Sequence, residues 1–236
     1  MSSNKLKIIA CISMLVDHIG FILLPQVTVL RAIGRIAMPI FAFFIAEGCR
    51  YTKNKLKYFL QIFLLGIACQ SVYFINDLIT GSVSELYFNI LITFSFSVII
   101  CFAYLELEKA FIAKDKIISK LTVFISAILF ALAFLRFSDN VIGIPVSVDY
   151  GVRGILLPLS AIIFRNKHLR IMLFSICLIG FMIYYGKGIY TIICTSLAIP
   201  LLYLYNGTYG TKKLKYLFYI FYPTHLALLY LIKILI

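Results

Sequence analysis

Charge is scarce in this 236-residue chain: Asp, Glu, Lys and Arg make up 13 % of it, against 63 % apolar residues. A soluble globular domain carries about 25 % charged residues, so a soluble fold is excluded. Acid is scarcer still, nine residues against 22 Lys and Arg. Cys11, Cys49, Cys69, Cys101, Cys177 and Cys194 fall within or at the ends of apolar runs, and no Cys-x-x-Cys spacing occurs among them. No metal or redox site is expected from them, and they read as packing residues. No internal repeat, low-complexity tract or linker interrupts the chain, so a single domain over residues 1–236 is expected. The first apolar run follows Lys5 and Lys7 as a signal peptide would, yet it holds Asp17 and His18 and lacks a small-residue cleavage site. It reads as a retained helix.

What is present is apolar sequence in runs of about 17 to 23 residues, each long enough to cross a hydrocarbon core of about 30 Å. The runs predict an all-α, polytopic integral membrane protein of about nine transmembrane helices, at 6–24, 29–49, 57–76, 86–106, 117–136, 150–164, 169–185, 188–205 and 215–235. The formal charge of +13 does not point to nucleic acid, because the basic residues sit in short loops instead of gathering on one surface. Placing the N-terminus in the cytoplasm puts about 16 of the 22 Lys and Arg on that side: Lys5 and Lys7, Arg50 to Lys57, Lys109 to Lys120, Arg165 to Arg170, and Lys212 to Lys215. The opposite loops hold Arg31, Arg136 and Lys187, together with Asp77, Glu85, Asp139 and Asp149. By the positive-inside rule this predicts an N-in, C-out, multi-pass protein of the cell (plasma) membrane, in contact with lipid.

Polar groups inside such runs cost about 2.5 to 3.5 kcal/mol each when charged, so they are candidate functional residues. They are Asp17 and His18 in the first span, Arg35 and Glu47 in the second, Gln70 in the third, Asn89 in the fourth, Arg153 in the sixth and His225 in the ninth. At about 1.5 Å per residue, His18 lies roughly 16 Å above Lys7, Gln70 about 20 Å above Lys57, His225 about 15 Å above Lys215 and Arg35 about 22 Å above Arg50. These four share a layer that Asn89 and Arg153 enter from the other side, which suggests a hydrated internal cavity; interhelical glue is the alternative for Gln70 and Asn89. Lys7 and His18 are eleven residues apart, so they share a helix face with only about 20° of drift. Asp17 points about 100° away and is expected to pair with Arg35 of a neighbouring helix.

The segments LKIIACISMLVDHIG, IGRIAMPIFAFFIAEGCRYTKN, LYFNILITF, DYGVRGILLPL and LYNGTYGTKKLKYLFYIFYPTHL resemble the TraX family, whose founding member is linked to N-terminal acetylation of pilin. That family is similar to the wider transmembrane acyltransferases, including the acyltransferase-3 enzymes, in which a basic residue, ten intervening residues and a histidine mark the first helix. Lys7 to His18 has that spacing. The resemblance implies an acetyl-CoA-dependent acyltransferase that takes the acetyl group from cytosolic acetyl-CoA to an acceptor reached from the extracytoplasmic side. In that reading His18 is the general base, Arg35 stabilises the oxyanion, Asp17 belongs to the same group, and His225 is a second proton carrier or positions the acceptor. Lys7, Arg50, Lys53 and Lys55 are the expected contacts to the CoA phosphates. The acceptor is open among a peptide amine, a glycan hydroxyl and a small molecule, with an amine favoured by the resemblance. The rival readings are a proton-coupled transporter with a relay of Asp17, His18, Arg35 and His225, and an assembly scaffold. Pro223 is expected to bend the last helix beside His225, and His168 to be a solvated loop residue.

Overall fold

A computed structural model describes residues 1–81, 86–141, 146–186, 188–208 and 214–236. Glu85, Lys187, Lys212 and Lys213, and the side chains of Asp139 and Lys215, lie outside the described residues. The helices are α1 (Ser3–Ile22), α2 (Thr28–Gly34), α3 (Ala37–Tyr51), α4 (Lys55–Thr80), α5 (Ile90–Ala113), α6 (Ile117–Val141), α7 (Gly151–Ser160), α8 (Lys167–Tyr184), α9 (Ile189–Ser196), α10 (Ala198–Tyr203) and α11 (Leu214–Leu235). Two three-residue strands, β1 (Leu86–Phe88) and β2 (Val146–Val148), pair in parallel with Tyr87 opposite Ser147.

Among the described residues, six helical stretches are long and apolar enough to cross a membrane: Thr28–Tyr51, Lys55–Thr80, Ile90–Ala113, Ile117–Arg136, Lys167–Tyr184 and Phe218–Leu235. The chain is an all-α, multi-pass membrane protein, and the expected nine spans are corrected to about six. The expectation counted every apolar run as a crossing. The structure shows that α1, though 20 residues long, carries Lys5, Lys7 and Asp17, that α7 has ten residues, and that the run after Gly188 is broken into α9 and α10. C-out rested on an odd count of nine, so six long spans withdraw its support.

The breaks have a common cause. A proline has no N–H and its ring clashes with the carbonyl four residues earlier. Pro39 therefore acts on Arg35, where α2 ends, and Pro200 acts on Ser196, where α9 ends. At the first break the bonds slip to i−3, with Arg35 N–H donating to Ala32 O at 3.2 Å and Ile36 N–H to Ile33 O at 3.4 Å, a 3₁₀ step. Helix starts are set by asparagine caps: Asn54 accepts from Lys57 N–H, Asn89 from Leu91 N–H, and Asn166 from the N–H groups of His168 and Leu169.

The contacts gather into two compact units, one of residues 1–44 and 164–236, the other of residues 45–163. In the first, Phe43, Phe174 and Tyr205 form an edge-to-face core, with ring centres 5.8 Å apart for Phe43–Phe174 and 6.3 Å for Phe43–Tyr205. The buried Arg170 guanidinium lies 5.1 Å from the Phe43 ring centre. The N-terminal residues join this core at one end, where Ser3 N–H donates to Thr208 O and Asn206 N–H to Met1 O.

In the second unit α5 is central, buried over 56 % of its span, whereas α6 is buried over only 11 % and presents apolar side chains outward. At one end Glu106 of α5 gathers three lysines: Lys55 at the start of α4, Lys109 at 2.9 Å and Lys120 of α6 at 3.9 Å. At the other end β1 meets β2. There Gln70 and Asn89 clamp the entry to α5: Asn89 Nδ2 donates to Gly66 O at 2.8 Å and to Gln70 Oε1 at 3.0 Å, while Gln70 Nε2 donates to Tyr87 O at 2.8 Å. Tyr87 hydroxyl donates to Asp149 Oδ1 at 2.5 Å, and burial followed by that carboxylate pushes the phenol above its ordinary range, so the bond persists at neutral pH.

Candidate functional site

The candidate site lies wholly in the first unit, where α1 packs between α2 and α11. Two glycines bring α1 and α2 into close approach, as small residues do between membrane helices. A Cβ on Gly20 would stand 2.7 Å from Leu30 Cβ, and one on Gly34 would stand 2.2 Å from Asp17 Cβ and 2.6 Å from its Cα. On its other side α1 presents Lys7 and His18 to α11. Lys7 Nζ lies 5.1 Å from the ring centre of Phe44 and 5.9 Å from that of Phe218, while His18 meets Tyr222 and His225. Phe218, Tyr222 and His225 are spaced i, i+4, i+7, one face of α11. The shared face expected of Lys7 and His18 is thus observed.

His18 is 9 % exposed and His225 5 %. Nδ1 of His18 lies 2.6 Å from Nε2 of His225. The ring planes differ by 15° and their centres are 4.9 Å apart, a separation that exceeds the nitrogen distance by about the width of one imidazole. The rings therefore meet edge to edge, with the hydrogen bond in their planes. His225 Nδ1 in turn donates to the carbonyl of Phe221 at 2.7 Å, one turn earlier on α11. The Tyr222 ring lies 5.8 Å from His18 and 5.5 Å from His225, centre to centre.

Asp17 feels Arg35, the partner expected for it, through space and makes a direct ion pair with a second arginine. Its partner is Arg31, whose Nη1 donates to Oδ2 at 2.5 Å and whose guanidinium lies 4.8 Å from the Phe21 ring centre. Arg31 sits in the last turn of α2 across from Asp17, and Arg35 sits at the 3₁₀ step that follows. Both arginines still act on His18 through space. Arg31 was expected in a loop, and Tyr222 was not foreseen. The signals that point to them are the tight Leu23–Val27 turn, which folds α2 back on α1, and the i−3 spacing of Tyr222 from His225.

Arg50, Lys53 and Lys55 belong to the second unit. Arg50 Nη2 donates to the Ile162 carbonyl and Lys55 is paired with Glu106, while Lys53 is exposed. Glu47, Gln70, Asn89 and Arg153 are also in the second unit. Gln70 and Asn89 are interhelical glue. His168 is exposed at the start of α8, as expected.

Two curated proteins are similar. The chain is 24 % identical over 250 residues to the "Probable fimbrial assembly protein FimC, serogroup H1" of Dichelobacter nodosus, covering 97 % of this chain and 94 % of that protein. It is 56 % identical over 41 residues to the "Uncharacterized protein RP591" of Rickettsia prowazekii (strain Madrid E), a match to 17 % of this chain and 16 % of that protein. No solved structure matches the chain significantly. A family model described as TraX protein matches residues 2–233, a span that takes in α1, α2 and α11 with every side chain of the His18–His225 cluster, and the chain belongs to the TraX family.

Proposed function

We propose that this TraX protein is a membrane acetyltransferase that moves an acetyl group from cytosolic acetyl-CoA to an acceptor reached from the other side of the membrane. The observation that carries the reading is the buried, hydrogen-bonded pair of His18 and His225, with His18 on the same face of α1 as Lys7. A thioester is already activated, so the protein need supply a base, charge stabilisation and exclusion of water. His18 takes the proton of the acceptor amine or hydroxyl as its lone pair forms the new bond to the acyl carbon. Arg35, which acts on His18 through space, stabilises the oxygen that becomes negative. The C–S bond then breaks with its electron pair going to sulfur, and His18 returns the proton to the thiolate, leaving acetylated acceptor and CoA.

The CoA phosphates require cations. Arg50 and Lys55 already hold the Ile162 carbonyl and Glu106, so they fit that role poorly. Lys7 fits it better, standing about 16 Å along α1 from His18, a span that an extended pantetheine arm covers. The fimbrial-assembly name of the Dichelobacter relative favours a peptide amine as acceptor over a glycan hydroxyl.

The test uses the whole chain in nanodiscs, with CoA and acetyl-CoA binding measured by titration calorimetry and CoA release measured in the presence of peptide amines. Binding by the wild type is expected. His18→Ala is expected to bind alike but release CoA about 10²-fold or more slowly, the contribution of a positioned general base. Absence of binding by well-folded protein, or unchanged turnover in His18→Ala, overturns the proposal.

A further inference from the structure

We infer that His225 is a positioning residue that fixes the tautomer of His18, so that Nε2 of His18 is the nitrogen that accepts a proton. A backbone carbonyl can only accept a hydrogen bond, so the 2.7 Å contact of the Phe221 carbonyl with His225 Nδ1 requires the hydrogen on that nitrogen. A second proton on either imidazole would put a cation in the buried His18–His225 pair, beside the half-buried Arg31 and Arg35, both of which act on His18, and a buried cation is costly. Each ring therefore carries one hydrogen. His225 Nε2 is then a bare acceptor, and the 2.6 Å contact to His18 Nδ1 requires the hydrogen on Nδ1 of His18. The lone pair of His18 is left on Nε2.

The chain of bonds runs one way, from His18 Nδ1–H to His225 Nε2 and from His225 Nδ1–H to the Phe221 carbonyl. It ends on the backbone of α11, so the direction is anchored by a group that cannot titrate. When His18 gains a proton at Nε2, its Nδ1–H becomes a stronger donor and the bond to His225 tightens. The second ring thus orients and stabilises the first without itself changing protonation, in contrast to the proton-carrier role expected from the sequence. Tyr222 packs against both rings and holds them edge to edge. The tautomer follows from the two contacts and the cost of a further buried charge; its use in transfer rests on the acetyltransferase reading.

The chain holds three histidines, so protein labelled with ¹⁵N-histidine gives three ring systems that single substitutions assign. The expected spectrum of the wild type in nanodiscs shows a protonated Nδ1 and a bare Nε2 for His18, and the same pattern for His225. In His225→Leu the His18 signals are expected to shift toward the Nε2–H tautomer. In His225→Gln, whose side-chain oxygen can accept from Nδ1–H, they are expected to stay. CoA release is expected to fall by about 10²-fold in His225→Leu and to be partly restored in His225→Gln. A wild-type His18 with its hydrogen on Nε2 overturns the inference without need of any variant. So does an unchanged His18 tautomer in folded His225→Leu. The expected tautomers with no acetyl transfer would uphold the pair and overturn the acetyltransferase reading instead.

Discussion

Asp17 and Arg31 show how one side chain's choice of partner sets the energetics of the cluster. The Asp17 carboxylate is 16 % exposed and Arg31 29 %, and Oδ1 of Asp17 is buried with no hydrogen-bond partner among the described residues. Removing the cation therefore strands the more buried charge, whereas removing the acid leaves a guanidinium that still reaches solvent and the Phe21 ring. Arg31→Ala is expected to cost about 1 to 3 kcal/mol, between the values for surface and buried pairs, and Asp17→Ala less. Thermal unfolding of the two variants and of the double variant in detergent checks this, with the double variant expected to be less destabilised than the sum. Equal and additive losses would show that the pair is not coupled.

Between elements, the controlling feature is how closely α1 approaches α2. Gly34 lies against a backbone atom of α1, which cannot rotate away as a flexible side chain could. Gly34→Ala must push the two helices apart, and an overpacked contact costs about 1 to 3 kcal/mol; the shift also withdraws Asp17 from Arg31. Gly180 in α8 has nothing within 4 Å of an added Cβ, so Gly180→Ala is expected to stay within about 0.5 kcal/mol of wild type. Melting curves of the two variants in the same detergent compare them directly, and similar losses from both would mean that α1 and α2 do not meet as closely as described.

For the chain as a membrane protein, the ends of the helices in the second unit carry the topology. Lys55, Glu106, Lys109 and Lys120 join the starts of α4 and α6 to the end of α5, so the 52–54 and 114–116 loops share one end of that unit. The 26 residues of α4 span about 39 Å at 1.5 Å per residue, which sets Thr80 at the opposite end. With Cys177 replaced, Lys53→Cys and Asp115→Cys are expected to react with an impermeant maleimide only after cells are permeabilised, and Thr80→Cys in intact cells. Reaction of Lys53→Cys and Asp115→Cys from opposite faces would be incompatible with the Glu106 cluster.

The low charge and long apolar runs of the sequence determined that this chain is a helical membrane protein, because composition alone decides which solvent a helix can face. Its eleven-residue spacing also determined that Lys7 and His18 share a face, since helical periodicity is local. Proline positions four residues beyond Arg35 and Ser196 held the helix breaks too, although run length alone hid them and inflated the count of spans. Tertiary structure decided the partners. That Asp17 pairs directly with Arg31, that His225 meets His18 across 207 residues of sequence, and that Arg50 and Lys55 hold the Ile162 carbonyl and Glu106 all depend on which helix faces touch. The Asp17–Arg31 contact depends on the close approach at Gly20 and Gly34, geometry that no spacing within a single helix contains.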